Sequence, residues 1–145
     1  GRGESYMDFT KTEARIRASF AQQSMMQTIG AELAEITEGS VTITAPVSDG
    51  VQQQQGFAHG GMLFSIADSA AGYAALTVLP EDAEVMSVEV KINFLAPGSG
   101  QLEAIGRVIK PGRRLVVVAA DVWSVDNGKR RHVAILQGTM IPVGA

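Results

Sequence analysis

From Gly56 to Val78 the chain reads GFAHGGMLFSIADSAAGYAALTV. After its glycine-rich opening the run has no proline and is long enough for about five helical turns. Met62, Leu63, Phe64, Ile66, Ala67, Ala70, Ala71, Tyr73, Ala74, Ala75 and Leu76 fall on every side of a helical wheel. A helix that is apolar all round has to be buried all round. A flat sheet with the helix on one face would leave half of it in water. The run is nearly long enough to cross a bilayer. However, Asp68, two serines and Gly72 interrupt it and its flanks are strand-like, so it does not read as a membrane span. Asp68 is the only charge between His59 and Glu81. Burying an unpaired carboxylate costs several kcal/mol, so Asp68 requires a partner, a function, or both.

The remainder supplies what can wrap such a helix. Phe9 to Gln23 has helical spacing, with Phe9, Ile16 and Phe20 on one side. Gln22 to Thr28 reads as a flexible connector whose Met25 and Met26 fill the core or line an apolar pocket. Ala31–Thr37 and Val41–Val47 alternate around the turn Glu38-Gly39-Ser40 and form a hairpin. Ser48 to Phe57, with four consecutive glutamines, is a loop. The helix should end near Leu79-Pro80. Val85–Leu95, Gln101–Lys110, Leu115–Val125 and His132–Val143 then read as a four-strand meander, with turns at Pro111-Gly112 and Asp126-Asn127-Gly128-Lys129. In the first of these strands Met86, Val88, Val90, Ile92 and Phe94 share one face; Ser87, Glu89, Lys91 and Asn93 take the other. Links of hairpin length join antiparallel neighbours. The expected architecture is α+β: a strongly curved antiparallel sheet of about six strands around one long central helix, plus an N-terminal helix. One domain covers residues 1–145, with residues 1–6 as a polar tail before Met7.

Composition narrows the chemistry. A net charge of −3 argues against a nucleic-acid partner. Cysteine is absent, which removes disulfides, thiolate metal sites and cysteine nucleophiles and fits a cytoplasmic setting. The two histidines, His59 and His132, lie far apart, so no metal-ligand spacing exists. No secretory signal pattern is visible at the start.

The spacing G-x-x-H-G-G followed by an aspartate nine residues after the histidine is carried by Gly56, His59, Gly60, Gly61 and Asp68. With the strand MSVEVKINFLAP from Met86 to Pro97, it resembles hotdog-fold proteins, and in particular the PaaI-like acyl-CoA thioesterases. The resemblance runs from about Gly30 to Met140. It implies hydrolysis of an acyl- or aryl-CoA thioester, with coenzyme A as part of the substrate and no separate cofactor. It gives Asp68 the role of base or nucleophile, the Gly60 N–H that of oxyanion donor, and Ser87 that of orienting the water or the base. The family tends to have an asparagine six residues before the histidine; here Gln53 stands there, a longer amide. Gly61 and the pair Arg113–Arg114 are candidate substrate contacts, the arginines toward the phosphates of coenzyme A. His59 is either a catalytic group or a positioner of the loop.

The chemistry fits these residue types. Thioester hydrolysis places negative charge on a carbonyl oxygen, which N–H donors at a helix N-terminus stabilise. Burial disfavours an ionised Asp68 unless a hydrogen bond, such as one from Ser87, supports it. If the helix starts near Gly60, Asp68 lies about 12 Å along its axis. A donor and a base acting on one carbonyl each need to be within about 3 Å of reacting atoms. Two antiparallel copies would bring Gly60 of one chain to Asp68 of the other, so a homodimer with two shared sites is expected. The resemblance extends this to a tetramer built as a dimer of dimers. Two other functions compete: a binding module for acyl-CoA or small acids, and a hotdog dehydratase or hydratase with His59 as base.

Overall fold

The computed structural model describes the backbone of residues 2–144 and the side chains of residues 9–144. The side chains of the expected tail therefore lie outside the described residues. The elements are α1 (Arg2–Gln22), α2 (Ser24–Ile29), β1 (Glu32–Thr37), β2 (Ser40–Pro46), α3 (Gly60–Leu76), β3 (Glu84–Phe94), β4 (Gln101–Pro111), β5 (Val116–Asp126) and β6 (Lys129–Val143). Helix α1 starts before Phe9, and the expected connector is partly the short helix α2. Its two methionines separate: Met26 is core, whereas Met25 is exposed. Gly30, at φ 79°, ends α2 in the left-handed conformation and turns the chain into β1.

All six strands form one antiparallel sheet, but not by a meander. Its order is β1-β2-β4-β5-β6-β3. Strand β3 pairs with β6, the last strand, rather than with β4, its successor. The link Leu95–Gly100 crosses the ends of β6 and β5 on its way to β4. Leu95 N–H donates to Val133 O at 2.8 Å, and Ser99 exchanges hydrogen bonds with Ser124. The Asn127-Gly128 turn forms as its sequence suggests, with φ of 52° and 77°.

The sheet coils around α3. Ile66, Ala67, Ala70, Ala71, Ala74 and Ala75 are fully buried against inward residues such as Ile43, Leu102, Val118 and Val122. Alanine on the helix lets the strands come close, and Gly106 on β4 is the nearest point. A Cβ there would fall 2.3 Å from the Ala70 backbone. At the end of α3, Thr77 Oγ1 donates to Ala74 O at 2.6 Å and accepts the Gly39 N–H at 2.7 Å. This ties the β1–β2 turn to the helix terminus. The wrap is incomplete: Phe64, Ser65, Asp68 and Ser69, one stripe of α3, are only half-buried.

Candidate active site

Asp68 meets its partner on the edge strand. Ser87 Oγ donates to Asp68 Oδ1 at 2.8 Å and also lies 3.1 Å from Met140 Sδ. Strict alternation would have set Ser87 with Glu89 and Lys91 on the outer face. The register instead shifts between Ser87 and Glu89, so Val88 is an extra, bulged residue. The bulge lets Val85 and Ser87 face α3 before it, and Val90 and Ile92 after it. Bulges re-aim side chains in this way and are frequent beside functional sites.

The helix N-terminus is organised by His59. As N-cap, its Nδ1 accepts the Gly61 N–H at 2.8 Å. The ring therefore carries its proton on Nε2. Among the described residues, nothing accepts from the Gly60 N–H. Of the two adjacent glycines, Gly61 gives its N–H to the cap and Gly60 does not. Phe94 rests on Gly60: a Cβ on this glycine would be 3.0 Å from Phe94 Cζ. Sequence reading had placed Phe94 among the core-facing residues of its strand, yet it is 55% exposed.

Gln53 builds the preceding loop. Its Oε1 accepts the N–H groups of Gln55 at 2.6 Å and Phe57 at 3.2 Å. The backbone closes the same turn through Gly56 N–H to Gln53 O at 3.0 Å, with Gly56 at φ 85°. His59 N–H to Val51 O and Ala58 N–H to Gly98 O, both 2.9 Å, fix where the loop enters α3. The glutamine run is thus an ordered entry, and the Gln53 carbonyl oxygen is used within it.

These residues line two separate hollows. One of about 390 Å³ holds Gly60, Gln53 and Phe94; the other, of about 270 Å³, holds Asp68, Ser87, Gly72 and Tyr73. Eight residues of helix separate Gly60 from Asp68, about 12 Å. A larger hollow, about 510 Å³, lies at the far end of α3 between Phe9 and Pro80, away from Asp68 and Gly60. Arg113 and Arg114 are exposed in the turn between β4 and β5. The register runs Ser87–Met140–Val116–Pro111 across the sheet, so this turn leaves from the row of Ser87. Val116 stands two strand spacings from Ser87, about 10 Å. His132 lies on the opposite sheet face, 2.9 Å from Asp121 and stacked on Trp123. Among the described residues no cluster of three metal-ligating side chains forms, and no helix is long and apolar enough to cross a membrane.

Residues 55–130 match the model of a family described as "Thioesterase superfamily". The chain belongs to the thioesterase superfamily. A relative from Saccharolobus solfataricus that carries an esterase name is 35% identical over 121 residues, covering 83% of this chain and 78% of its own. A crystal structure of a thioesterase family protein from Silicibacter pomeroyi superposes with a TM-score of 0.89 at 35% identity, covering 92% and 99% of the two chains. The Escherichia coli acyl-coenzyme A thioesterase PaaI is 25% identical over 129 residues, 88% of each chain. A structure of the Escherichia coli PaaI protein superposes with a TM-score of 0.83, covering 94% of this chain and 96% of that one. The fold is the hotdog fold, and the PaaI-like resemblance of the sequence is borne out.

Proposed function

We propose that this thioesterase hydrolyses an acyl- or aryl-CoA thioester to the free acid and coenzyme A, with Asp68 as the reacting carboxylate. The observation that carries this reading is the 2.8 Å hydrogen bond from Ser87 to Asp68. A central-helix carboxylate held by a single hydroxyl beside an open groove has the arrangement of a base or nucleophile. Asp68 either takes a proton from the attacking water or attacks the carbonyl itself; both routes lead through an oxyanion. The Gly60 N–H donates a hydrogen bond to that oxyanion, supported by the partial positive charge of the α3 N-terminus. On the base route the C–S bond then breaks and the thiolate recovers the proton held by Asp68; on the nucleophilic route the thiolate leaves first, and water hydrolyses the mixed anhydride on Asp68, which frees the acid and supplies the thiolate's proton.

The two hollows are parts of one site when two chains combine. Gly60 of one protomer then faces Asp68 of its partner. The half-buried stripe of α3 supports this, as do the exposed apolar residues Met86, Val88, Phe94 and Leu95 along the β3 edge. An apolar sheet edge left open is a pairing surface, and a second copy is its proposed occupant. The dimer of dimers and a cytoplasmic setting belong to the same proposal. His59 is proposed as the cap that frees Gly60, Gln53 as the scaffold of the loop, and Arg113 and Arg114 as contacts for coenzyme A phosphates. A dehydratase would need the lone pair of His59 for its base, and Nδ1 already accepts the Gly61 N–H.

Thiol release from a panel of short, medium, long and aromatic acyl-CoAs tests the activity. Asp68→Asn should lower kcat by about 10²–10⁴-fold, the usual contribution of a positioned base, while the protein still binds coenzyme A thioesters. Full activity in that variant would remove Asp68 from the chemistry. Thioester binding without turnover in the wild-type protein would make it a binding module.

A further inference from the structure

Glycine is the poorest residue for a helix interior after proline, so an interior glycine calls for a reason. Gly106 and Gly138 lie in strands and have one in packing: an added Cβ would fall 2.3 Å from the Ala70 backbone and 2.6 Å from Glu89 O. Gly72, one turn before the end of α3, has no such reason. A Cβ there would meet only Val85 Cγ1, at 3.8 Å, an ordinary contact. What Gly72 borders instead is the Asp68 hollow, one helical turn beyond the carboxylate.

That hollow is a groove. It follows α3 from Asp68 through Gly72 to Leu76, eight residues or about 12 Å, with Val85 and Ser87 of β3 opposite. Toward its far end stands the Tyr73 hydroxyl, which accepts from Gln23 Nε2 at 2.7 Å and shares a hydrogen bond with Ser19 Oγ at 3.0 Å. Ser19 is near the end of α1, and Gln23 occupies the break before α2. The N-terminal helices are thereby held as a wall.

Resting on the reading of Asp68 as the reacting carboxylate, we infer that this groove holds the acyl group and that Gly72 is a specificity-determining residue whose missing side chain sets the groove's width. The class of acyl group follows. A volume of about 270 Å³ lies just below the usual range for ligand pockets, which suits a short or medium acyl group better than a long fatty chain. Asp68 and Glu84 both line the groove, so an acyl group bearing a second carboxylate is repelled. The acyl group carries no negative charge.

The test is Gly72→Ala, read in three ways. First, its thermal midpoint should equal or exceed that of the wild type, because alanine favours the helix and meets no clash; a lower midpoint would return the glycine to packing. Second, the ratio of kcat/KM for hexanoyl-CoA to that for propanoyl-CoA should fall about tenfold or more, the discrimination that one methyl in a pocket can produce. An unchanged ratio with hydrolysis intact would overturn the inference and leave the hydrolase reading standing. Third, calorimetric affinity for S-hexyl-CoA over S-ethyl-CoA, two thioethers that cannot be hydrolysed, should fall in parallel. That binding shift in a protein without turnover would keep the groove assignment and sink the hydrolase. Light scattering covers the other use of a small residue: a variant that falls apart into subunits would assign Gly72 to contact between helices of two chains.

Discussion

Asp68 and Ser87 come from a helix and an edge strand and meet at 2.8 Å. A hydrogen bond to a charged group contributes about 1.5–3 kcal/mol. Ser87→Ala should therefore lower kcat by roughly ten- to a hundredfold with the fold unchanged, measured by thiol release beside circular dichroism; an unaltered kcat would leave Ser87 as an ordinary polar residue. The sequence made Asp68 visible through its isolation in an apolar run. It concealed the facing of Ser87, because one bulged residue, Val88, resets the alternation without leaving a mark in composition. Adjacent glycines posed the same difficulty. Only the His59 ring, which accepts from Gly61, separates the engaged N–H from the available one. Phe94 escaped for a related reason: alternation assigned it to the core, but at the strand's end it lies against Gly60 with half its surface exposed.

At the scale of elements, α3 was legible because nothing but a closely curved sheet can bury a helix that is apolar all round. The strand order was not. Leu95–Gly100 is short enough for a hairpin, and the strength of curvature that lets it cross two strand ends depends on side chains far apart in sequence. That curvature relies on the approach of β4 to α3 at Gly106. Gly106→Ala puts a methyl group 2.3 Å from the Ala70 backbone, where no flexible side chain can yield. Overpacking of this kind costs about 1–3 kcal/mol, occasionally more. Urea denaturation should show that loss in the midpoint; an unchanged midpoint would mean that the sheet is not held against the helix there. The contrast with Gly72, where the same substitution meets only an ordinary contact with Val85 at 3.8 Å, separates a glycine that packs from one that makes room.

For the whole molecule, the proposed pairing of Gly60 with a partner's Asp68 rests on their separation of about 12 Å along one helix. The exposed residues Met86 and Val88 lie on the β3 edge, where the second chain is expected. Lysine on an edge strand opposes pairing, so Val88→Lys should reduce the mass seen by light scattering to that of one 15.3 kDa chain; an intact assembly would place the contact elsewhere. The central claim, that each site takes its donor from one chain and its carboxylate from the other, has a direct test. Gly60 is the first residue of α3, where proline is favoured, and His59 before it is extended at φ −63° and ψ 140°, as proline requires. Gly60→Pro thus deletes the donor with the helix kept, while the exposed Phe94 ring shifts to admit the new Cβ, 3.0 Å from its Cζ. Gly60→Pro and Asp68→Asn should each be inactive alone. Co-expressed and purified together, they should regain about a quarter of wild-type kcat, because half of the randomly paired dimers then contain one intact site of two. A mixture as inactive as its parts would contradict the shared site.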